Sequence, residues 1–148
     1  YIKNMKILFL LIFLLPLKTF ANKYSSESSG KETYNFSIDT KDGYSKQIRK
    51  TEGTWTDSLG NYGINTCVGT LTQDNRKLNL DLICENIDQD KEKSWSKLYR
   101  KNTIDDSVVG VIEYIDATEK YKFLIGQKCN YALKFYEESF FFFKHKCK

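Results

Sequence analysis

Four cysteines, Cys67, Cys84, Cys129 and Cys147, constrain the fold of this chain more than any other feature. The first two bracket an alternating segment that is interrupted at Asn75-Arg76. A hairpin turning there places its apolar residues on one face, as a half-buried pair of strands requires. The register then pairs Cys67 with Cys84, Gly69 with Leu82, Leu71 with Leu80 and, at the turn, Asp74 with Lys77.

A second hairpin, over residues 129–147, follows from the same reasoning when it turns around Glu137-Glu138-Ser139. Its inward register pairs Cys129 with Cys147, Tyr131 with His145, Leu133 with Phe143 and Phe135 with Phe141. Four cysteines allow three disulfide pairings, and the two registers favour Cys67–Cys84 and Cys129–Cys147. Each bond closes a loop of roughly 18 residues, a constraint on the unfolded chain that contributes about 3 kcal/mol. With no C-x-x-C pair and a single histidine, the sequence predicts no metal site.

The N-terminal segment predicts export. Residues 1–21 contain a short basic region, the apolar run Ile7–Leu15 and an end with Thr19 and Ala21, which together resemble a cleavable signal peptide. The apolar run is too short for a stable membrane span, which needs about 20 residues. Residues 1–4 precede Met5 and are a candidate artefact of the reading frame. The predicted location is periplasmic or extracellular, where disulfides persist.

The charge of the remaining chain argues against nucleic acid as a partner. Of 23 basic side chains, Lys3, Lys6 and Lys18 lie in the predicted signal peptide, and none of the 19 acidic ones does. Cleavage therefore leaves a net charge of about +1, with acidic and basic side chains interspersed. Such a distribution provides no basic patch for binding nucleic acid or an anionic membrane surface.

The rest of the chain is organised as short strand-like runs between turn signals. Residues 22–33 are polar and rich in serine, and are predicted to be a flexible lead-in. Residues 34–148 are predicted to form one all-β domain, a small antiparallel β-barrel of about eight strands, with a sandwich as the alternative. The predicted strands are Tyr34–Ile38, Ser45–Thr56, Tyr62–Leu71, Leu78–Ile87, Ser94–Arg100, Val108–Ile115, Tyr121–Tyr136 and Phe140–Cys147. Residues 121–138 also fit an amphipathic helix.

Few residues are candidates for a functional site. Trp55, Trp95 and Tyr99 are candidates for a pocket, because a small barrel can hold one ligand. Trp95 and Tyr99 share strand parity with Lys97, so a half-exposed position is the alternative for both. Glu113 alternates with Val109, Val111 and Ile115, and on an inward face it would be a weak candidate for a general acid or base. The other face of this strand is about equally apolar, which leaves a solvent-facing Glu113 as the alternative.

Two stretches resemble allene oxide cyclase and dirigent-like β-barrels. The run 114–126, from Tyr114 to Gly126, is similar to a turn-and-strand signature of that family, and Gly53-Thr54-Trp55-Thr56-Asp57 is similar to an early strand. Ala117 and Glu119 stand where the family has glycine. The resemblance implies an eight-stranded barrel with a small apolar cavity, and it carries no catalytic residue to this chain. Gly53-Thr54-Trp55 is also similar to the first strand of avidin-like barrels.

The sequence therefore favours an exported, disulfide-stabilised barrel that is not an enzyme, needs no cofactor, and binds a small apolar ligand or an envelope component. The alternative is a cyclase or isomerase that uses Glu113 in an apolar cavity. A third hypothesis is a structural or inhibitor-like protein that acts through its surface. These hypotheses differ in what they place inside the barrel, so the position of each candidate side chain discriminates among them.

Overall fold

Eight antiparallel strands, each hydrogen-bonded to the next and the last to the first, form a closed barrel. The computed structural model describes residues 23–75, 77–104, 109–137 and 139–148. The predicted signal peptide, residues 1–21, lies outside the described residues. The strands are β1 (Ser25–Asp39), β2 (Ser45–Asp57), β3 (Tyr62–Asp74), β4 (Lys77–Asp88), β5 (Lys93–Ile104), β6 (Val109–Ala117), β7 (Lys128–Tyr136) and β8 (Phe140–Cys147). The all-β barrel prediction is confirmed.

Both cysteine hairpins have the predicted register. Cys67 pairs with Cys84 across β3 and β4, and Cys129 pairs with Cys147 across β7 and β8. Both pairs are disulfide-bonded, and all four cysteines are buried. The predictions succeed here because a shift by one residue would turn the apolar face of either hairpin to solvent.

The predicted flexible lead-in is wrong for residues 25–33, which belong to β1. This strand pairs with β2 on one side and with β8 on the other, from Ser25 opposite Lys146 to Lys31 opposite Phe140, and so closes the barrel. Small side chains such as Ser26 and Ser28 line the interior here. Backbone hydrogen bonds to two neighbouring strands do not depend on side-chain polarity, so a serine-rich composition does not prevent a strand.

The predicted strand Tyr121–Tyr136 is wrong in its first part. Residues Glu119–Leu124 form a 3-10 helix, and only Lys128–Tyr136 continue as β7. Gly126 adopts a φ of 82° in the turn between them, a conformation that glycine tolerates without a steric penalty. The amphipathic helix considered for residues 121–138 is therefore also wrong, because residues 128–136 are strand.

The two ends of the barrel are built differently. At one end, named here the helix end, lie residues 58–61, residues 89–92 and the 3-10 helix. Tyr121 and Leu124 of the helix are buried there. At the other end, the hairpin end, lie residues 40–44 and the paired strand ends Asp74–Lys77 and Tyr136–Phe140. Residues 34–39 of β1 pair only with β2, beyond the last pairing of β1 with β8.

Candidate functional site

The barrel interior contains a cavity whose wall comes from the inward side chains of all eight strands. The space open to the centres of water-sized molecules is about 80 Å³, and one water needs roughly 10–15 Å³ by this measure. The cavity therefore has room for a small organic molecule. The apolar part of its wall consists of Trp55, Leu80, Leu82, Leu98, Ile112, Leu133, Phe135, Phe141 and Phe143, together with the Cys67–Cys84 disulfide.

Of the three predicted pocket residues, Trp55 lines the cavity. Its side chain is buried, its indole Nε1–H donates to the carbonyl oxygen of Ile64 at 3.0 Å, and its ring contacts the ring of Tyr121 edge-on. The backbone acceptor fixes the ring orientation and leaves its apolar face available to the cavity.

Trp95 and Tyr99 do not line the cavity, because they lie on the outer face of β5. The positions of this strand that line the cavity are Ser94, Ser96, Leu98 and Arg100. Outside, the Nε1–H of Trp95 donates to the Glu85 carboxylate at 3.1 Å. The alternative based on parity with Lys97 is the one that the structure matches.

Glu113 also lies on the outer face. The inward positions of β6 are Ile112 and Tyr114, while the Glu113 carboxylate is 3.6 Å from the Lys128 ammonium and accepts from the Tyr99 hydroxyl at 3.5 Å. A Glu113 that works as an acid or base inside the cavity is therefore not compatible with this arrangement. The structure matches the solvent-facing alternative, which sequence alternation alone could not select because the two faces of β6 are similarly apolar.

A polar cluster near the helix end occupies part of the cavity wall. The hydroxyl of Tyr114 and Nε2 of His145 are 2.9 Å apart, and both residues are buried. Burial raises the pKa of Tyr24, and the nearby carboxylate of Asp57 adds to this rise. The rings of Tyr24, Tyr114 and His145 contact one another at centroid distances of 5.9 to 6.1 Å. Tyr24, Tyr114 and His145 therefore form one connected group.

Burial sets the ionisation of this cluster. It lowers the pKa of His145 to about 4, because a charged imidazolium would lose its hydration. It also raises the pKa of Tyr24 and of Tyr114 above the ordinary value. At neutral pH the imidazole and both phenols are therefore uncharged.

Three buried polar atoms on the cavity wall have no hydrogen-bond partner within the described part of the chain. They are Oδ1 of Asn65, Oγ of Ser96 and Nδ1 of His145. An unpaired buried polar atom costs about 1–3 kcal/mol, so such atoms are rare unless something else satisfies them. A polar group of a bound molecule would satisfy them.

Charged side chains line the hairpin end of the cavity. Arg49 and Glu32 form an ion pair at 3.3 Å, and the Arg49 guanidinium also donates to Gln47 at 2.7 Å. The backbone N–H of Glu32 donates to the carbonyl of Ser139 in the turn between β7 and β8. This end therefore combines a polar rim with the rings of Phe135 and Phe141 beneath it.

Sequence analysis missed the polar cluster, although one signal for it existed. In the predicted register of the second hairpin, His145 stands on the inward face among aromatic residues. Its contact with Tyr114 joins β8 to β6 across the barrel interior, and that distance depends on barrel closure rather than on any local pattern. Ser96 gave no signal, since a serine on a strand is usually exposed.

Comparison with known proteins finds no family model, curated protein or solved structure that matches the chain. The resemblance to allene oxide cyclase and dirigent-like barrels therefore stays a prediction. None of the helices in the described residues is long and apolar enough to cross a membrane. The same residues bring together no group of three or more metal-ligating side chains.

Proposed function

We propose that this protein is an exported binding protein whose barrel cavity takes a small, largely apolar ligand with one polar group. The observation that carries the proposal is the set of three unpaired buried polar atoms on a wall that also presents leucine and aromatic side chains. Binding pockets in general combine an apolar lining with a few polar groups that orient the ligand. The two disulfides support export, because such bonds persist in oxidising compartments.

A ligand of this kind would gain from both parts of the wall. Leucine and aromatic side chains would bury its apolar surface at about 25 cal/mol per Å². Ser96 and His145 would exchange hydrogen bonds with its polar group in a low-dielectric environment, where an unmatched group is costly. The cyclase or isomerase hypothesis has no comparable support, because Glu113 lies outside the barrel.

The two tryptophans provide a direct test by NMR. Trp55 lines the cavity and Trp95 lies on the outer face, so their indole N–H signals report the inside and the outside of the same molecule. We expect toluene, which has no hydrogen-bonding group, to shift the Trp55 signal in a saturable manner and to leave the Trp95 signal in place. Equal small shifts of both signals, or none, would contradict a binding cavity.

A matched pair of variants sharpens the test. Leu82→Phe adds volume to the cavity wall, whereas Ile83→Phe makes a similar change one residue away, where the side chain is exposed. We expect Leu82→Phe to weaken toluene binding and Ile83→Phe to leave it unchanged.

Export is tested separately, by the mass of protein purified from an exporting host. We expect a chain that begins near Asn22 and whose mass is lower than that of the fully reduced chain by four hydrogens.

A further inference from the structure

The fold separates charged side chains that the sequence intersperses. One part of the outer surface, named here the basic face, consists of the outward residues of 31–38, 46–52, 134–136 and 140–142. Its basic residues are Lys31, Lys46, Lys50 and Lys134. Of the described residues on this face, only Glu52 is acidic, and its carboxylate lies 2.7 Å from the Lys50 ammonium. Four lysines and one glutamate give the basic face a net charge of +3.

The opposite wall of the barrel, from β4 to β6, is more acidic. Its outward residues include Asp81, Glu85 and Glu113. On the basic face, Lys31, Lys46 and Lys134 have no carboxylate partner among the residues that the structure describes. Exposed cations that are gathered on one face and lack a partner create a positive potential there, which attracts an anionic surface.

Apolar side chains lie between these lysines on β1 and β2. The pairing of the two strands is irregular after Glu32, which shifts the alternation along β1. Because residues directly opposite each other share a face, the outer face receives Tyr34, Phe36 and Ile38 of β1 together with Ile48 of β2. These four side chains are 49 to 61% exposed. The next residue, Asp39, points to the other face of the strand.

Three aromatic rings continue the basic face on β7 and β8. Lys31 stands opposite Phe140, which in turn stands opposite Tyr136. The ring of Tyr136 contacts the ring of Phe142 edge-on at 5.2 Å, and Nζ of Lys134 lies 4.8 Å from the centre of the Tyr136 ring. All three rings are about half exposed. Such a surface suits the headgroup region of a bilayer, where rings and lysine stems are buried and the ammonium groups stay hydrated.

We propose that the basic face docks onto the surface of a lipid bilayer that contains anionic lipid. The lysines would pair with lipid phosphates, and the apolar side chains between them would be buried at the level of the headgroups. A second copy of the chain is a poorer occupant, because a two-fold contact between two basic faces would bring like charges together.

This inference goes beyond the proposed cavity function and does not depend on it. The basic face belongs to the half of the barrel that includes the hairpin end, so docking would bring the rim of the cavity close to the bilayer. The toluene experiment reads the cavity alone and the experiments below read the outer surface alone. Failure of one proposal therefore leaves the other standing.

The first test is co-sedimentation of the protein with lipid vesicles. We expect binding to vesicles made of equal parts of phosphatidylcholine and phosphatidylglycerol, and this binding should weaken at high salt. Binding to vesicles of phosphatidylcholine alone should be at least about tenfold weaker, because several lysines contribute to the difference. Equal binding to the two kinds of vesicle, or binding to neither, would overturn the proposal.

Two matched pairs of variants locate the contact. Lys46→Gln removes an exposed charge from the basic face and Lys97→Gln removes one from the opposite wall, whereas Phe36→Ala and Ile83→Ala remove half-exposed apolar side chains from the same two walls. We expect Lys46→Gln to weaken binding about fivefold and Phe36→Ala about tenfold. Each change on the opposite wall should alter binding by less than about twofold. All four variants share the same N-terminal segment, so equal losses within either pair would overturn the proposal.

A third measurement uses the unaltered protein and so does not depend on the folding of any variant. In bicelles of the same lipid mixture, spin-labelled lipid should broaden the backbone NMR signals of Phe36 and Phe140 more than the indole signal of Trp95, which lies on the opposite wall. Uniform broadening would overturn the proposal. A stable dimer that Phe36→Ala dissociates, in a protein that binds no vesicles, would assign the basic face to a second copy and would also overturn it.

Discussion

The side-chain contacts that close the barrel differ between the helix end and the hairpin end. At the helix end, the buried carboxylate of Asp88 accepts from Lys120 at 2.6 Å, from Tyr121 at 2.8 Å and from two backbone N–H groups. At the hairpin end, the pair of Glu32 and Arg49 is partly exposed. Satisfied buried networks are rigid, whereas exposed contacts open readily. The difference indicates that a ligand of the proposed kind would enter from the hairpin end.

Both ends expose apolar side chains, Leu59 and Phe123 among them at the helix end, so the contrast lies in what each end buries. Tyr34, Phe36 and Ile38 of β1, beyond the last pairing with β8, are each at least half exposed. At the helix end, Leu124 is completely buried and Tyr121 nearly so. Buried side chains close the helix end, whereas partly exposed contacts border the hairpin end. A ligand of the proposed kind would therefore enter and leave by the hairpin end.

The largest effect is expected from Asp88→Ala at the helix end. Burial by itself would raise the pKa of the Asp88 carboxyl, but hydrogen bonds from Lys120, Tyr121 and the backbone outweigh burial and lower it. Removing the carboxylate leaves those donors without an acceptor, and we expect a loss of about 3–5 kcal/mol in the free energy of unfolding, measured with urea. Asp90→Ala, which also removes a partner of Lys120 but at an exposed position, should cost under about 1 kcal/mol. Equal losses would contradict a sealed helix end.

The pH dependence of stability probes the cluster beneath that end. The pKa of His145 is about 4 in the folded protein and about 6.5 in the unfolded chain. Between these two pH values the unfolded chain binds more protons than the folded protein. The free energy of unfolding therefore has its full value above pH 6.5 and falls by about 3 kcal/mol as the pH is lowered to 4. His145→Gln should flatten the decline in its upper part, where other groups titrate little. An unchanged slope in the variant would place the titration elsewhere.

Gly110→Ala tests packing in the half of the barrel that includes the hairpin end. A methyl group here would lie 2.4 Å from the Tyr131 ring and hydroxyl and 2.6 Å from the Arg100 side chain. Overpacking of this kind costs about 1–3 kcal/mol, measurable as a lower urea midpoint. Adding Tyr131→Phe should recover part of the loss, because one of the clashing atoms is removed. Full additivity of the two changes would argue against the clash.

The smallest effect is expected from Glu32→Gln at the rim of the hairpin end. Because the pair with Arg49 is partly solvated, we expect a loss of about 1 kcal/mol or less that shrinks further at high salt. Glu52→Gln breaks a more exposed pair with Lys50 and serves as the control, with no measurable loss expected. A loss from Glu32→Gln as large as that from Asp88→Ala would remove the contrast between the two ends.

Sequence alternation predicted the parts of this fold in which one face is clearly more apolar than the other. The two cysteine hairpins meet that condition, and their registers are confirmed residue by residue. Alternation failed for β1, whose inward residues are serines, and it left the orientation of β6 open, because the two faces of that strand are similar. Asp88 shows the same limit. Nothing in the polar sequence of residues 88–92 predicts burial, yet Asp88 is buried because Lys120 and Tyr121 reach it from the distant 3-10 helix.

The candidate site was less predictable than the fold. Trp55 was found because an aromatic residue on an alternating strand is a good candidate for the interior. The contact between Tyr114 and His145 depends on where β6 and β8 stand after the barrel closes, and neither residue has a sequence neighbour that indicates the other. Side chains from distant strands make the site, so only the closed barrel brings them together.

Both disulfides join strands that are already neighbours in a hairpin, and this has a consequence for the rate of folding. Cross-links between Cys67 and Cys84 and between Cys129 and Cys147 shorten only local loops. The slow step is different, since closing the barrel must bring residue 25 beside residue 146. Pairing of residues so far apart dominates the kinetic barrier of a β-protein. Prior oxidation should therefore fix the hairpin registers early and slow unfolding, while the time needed to join β1 to β8 changes little.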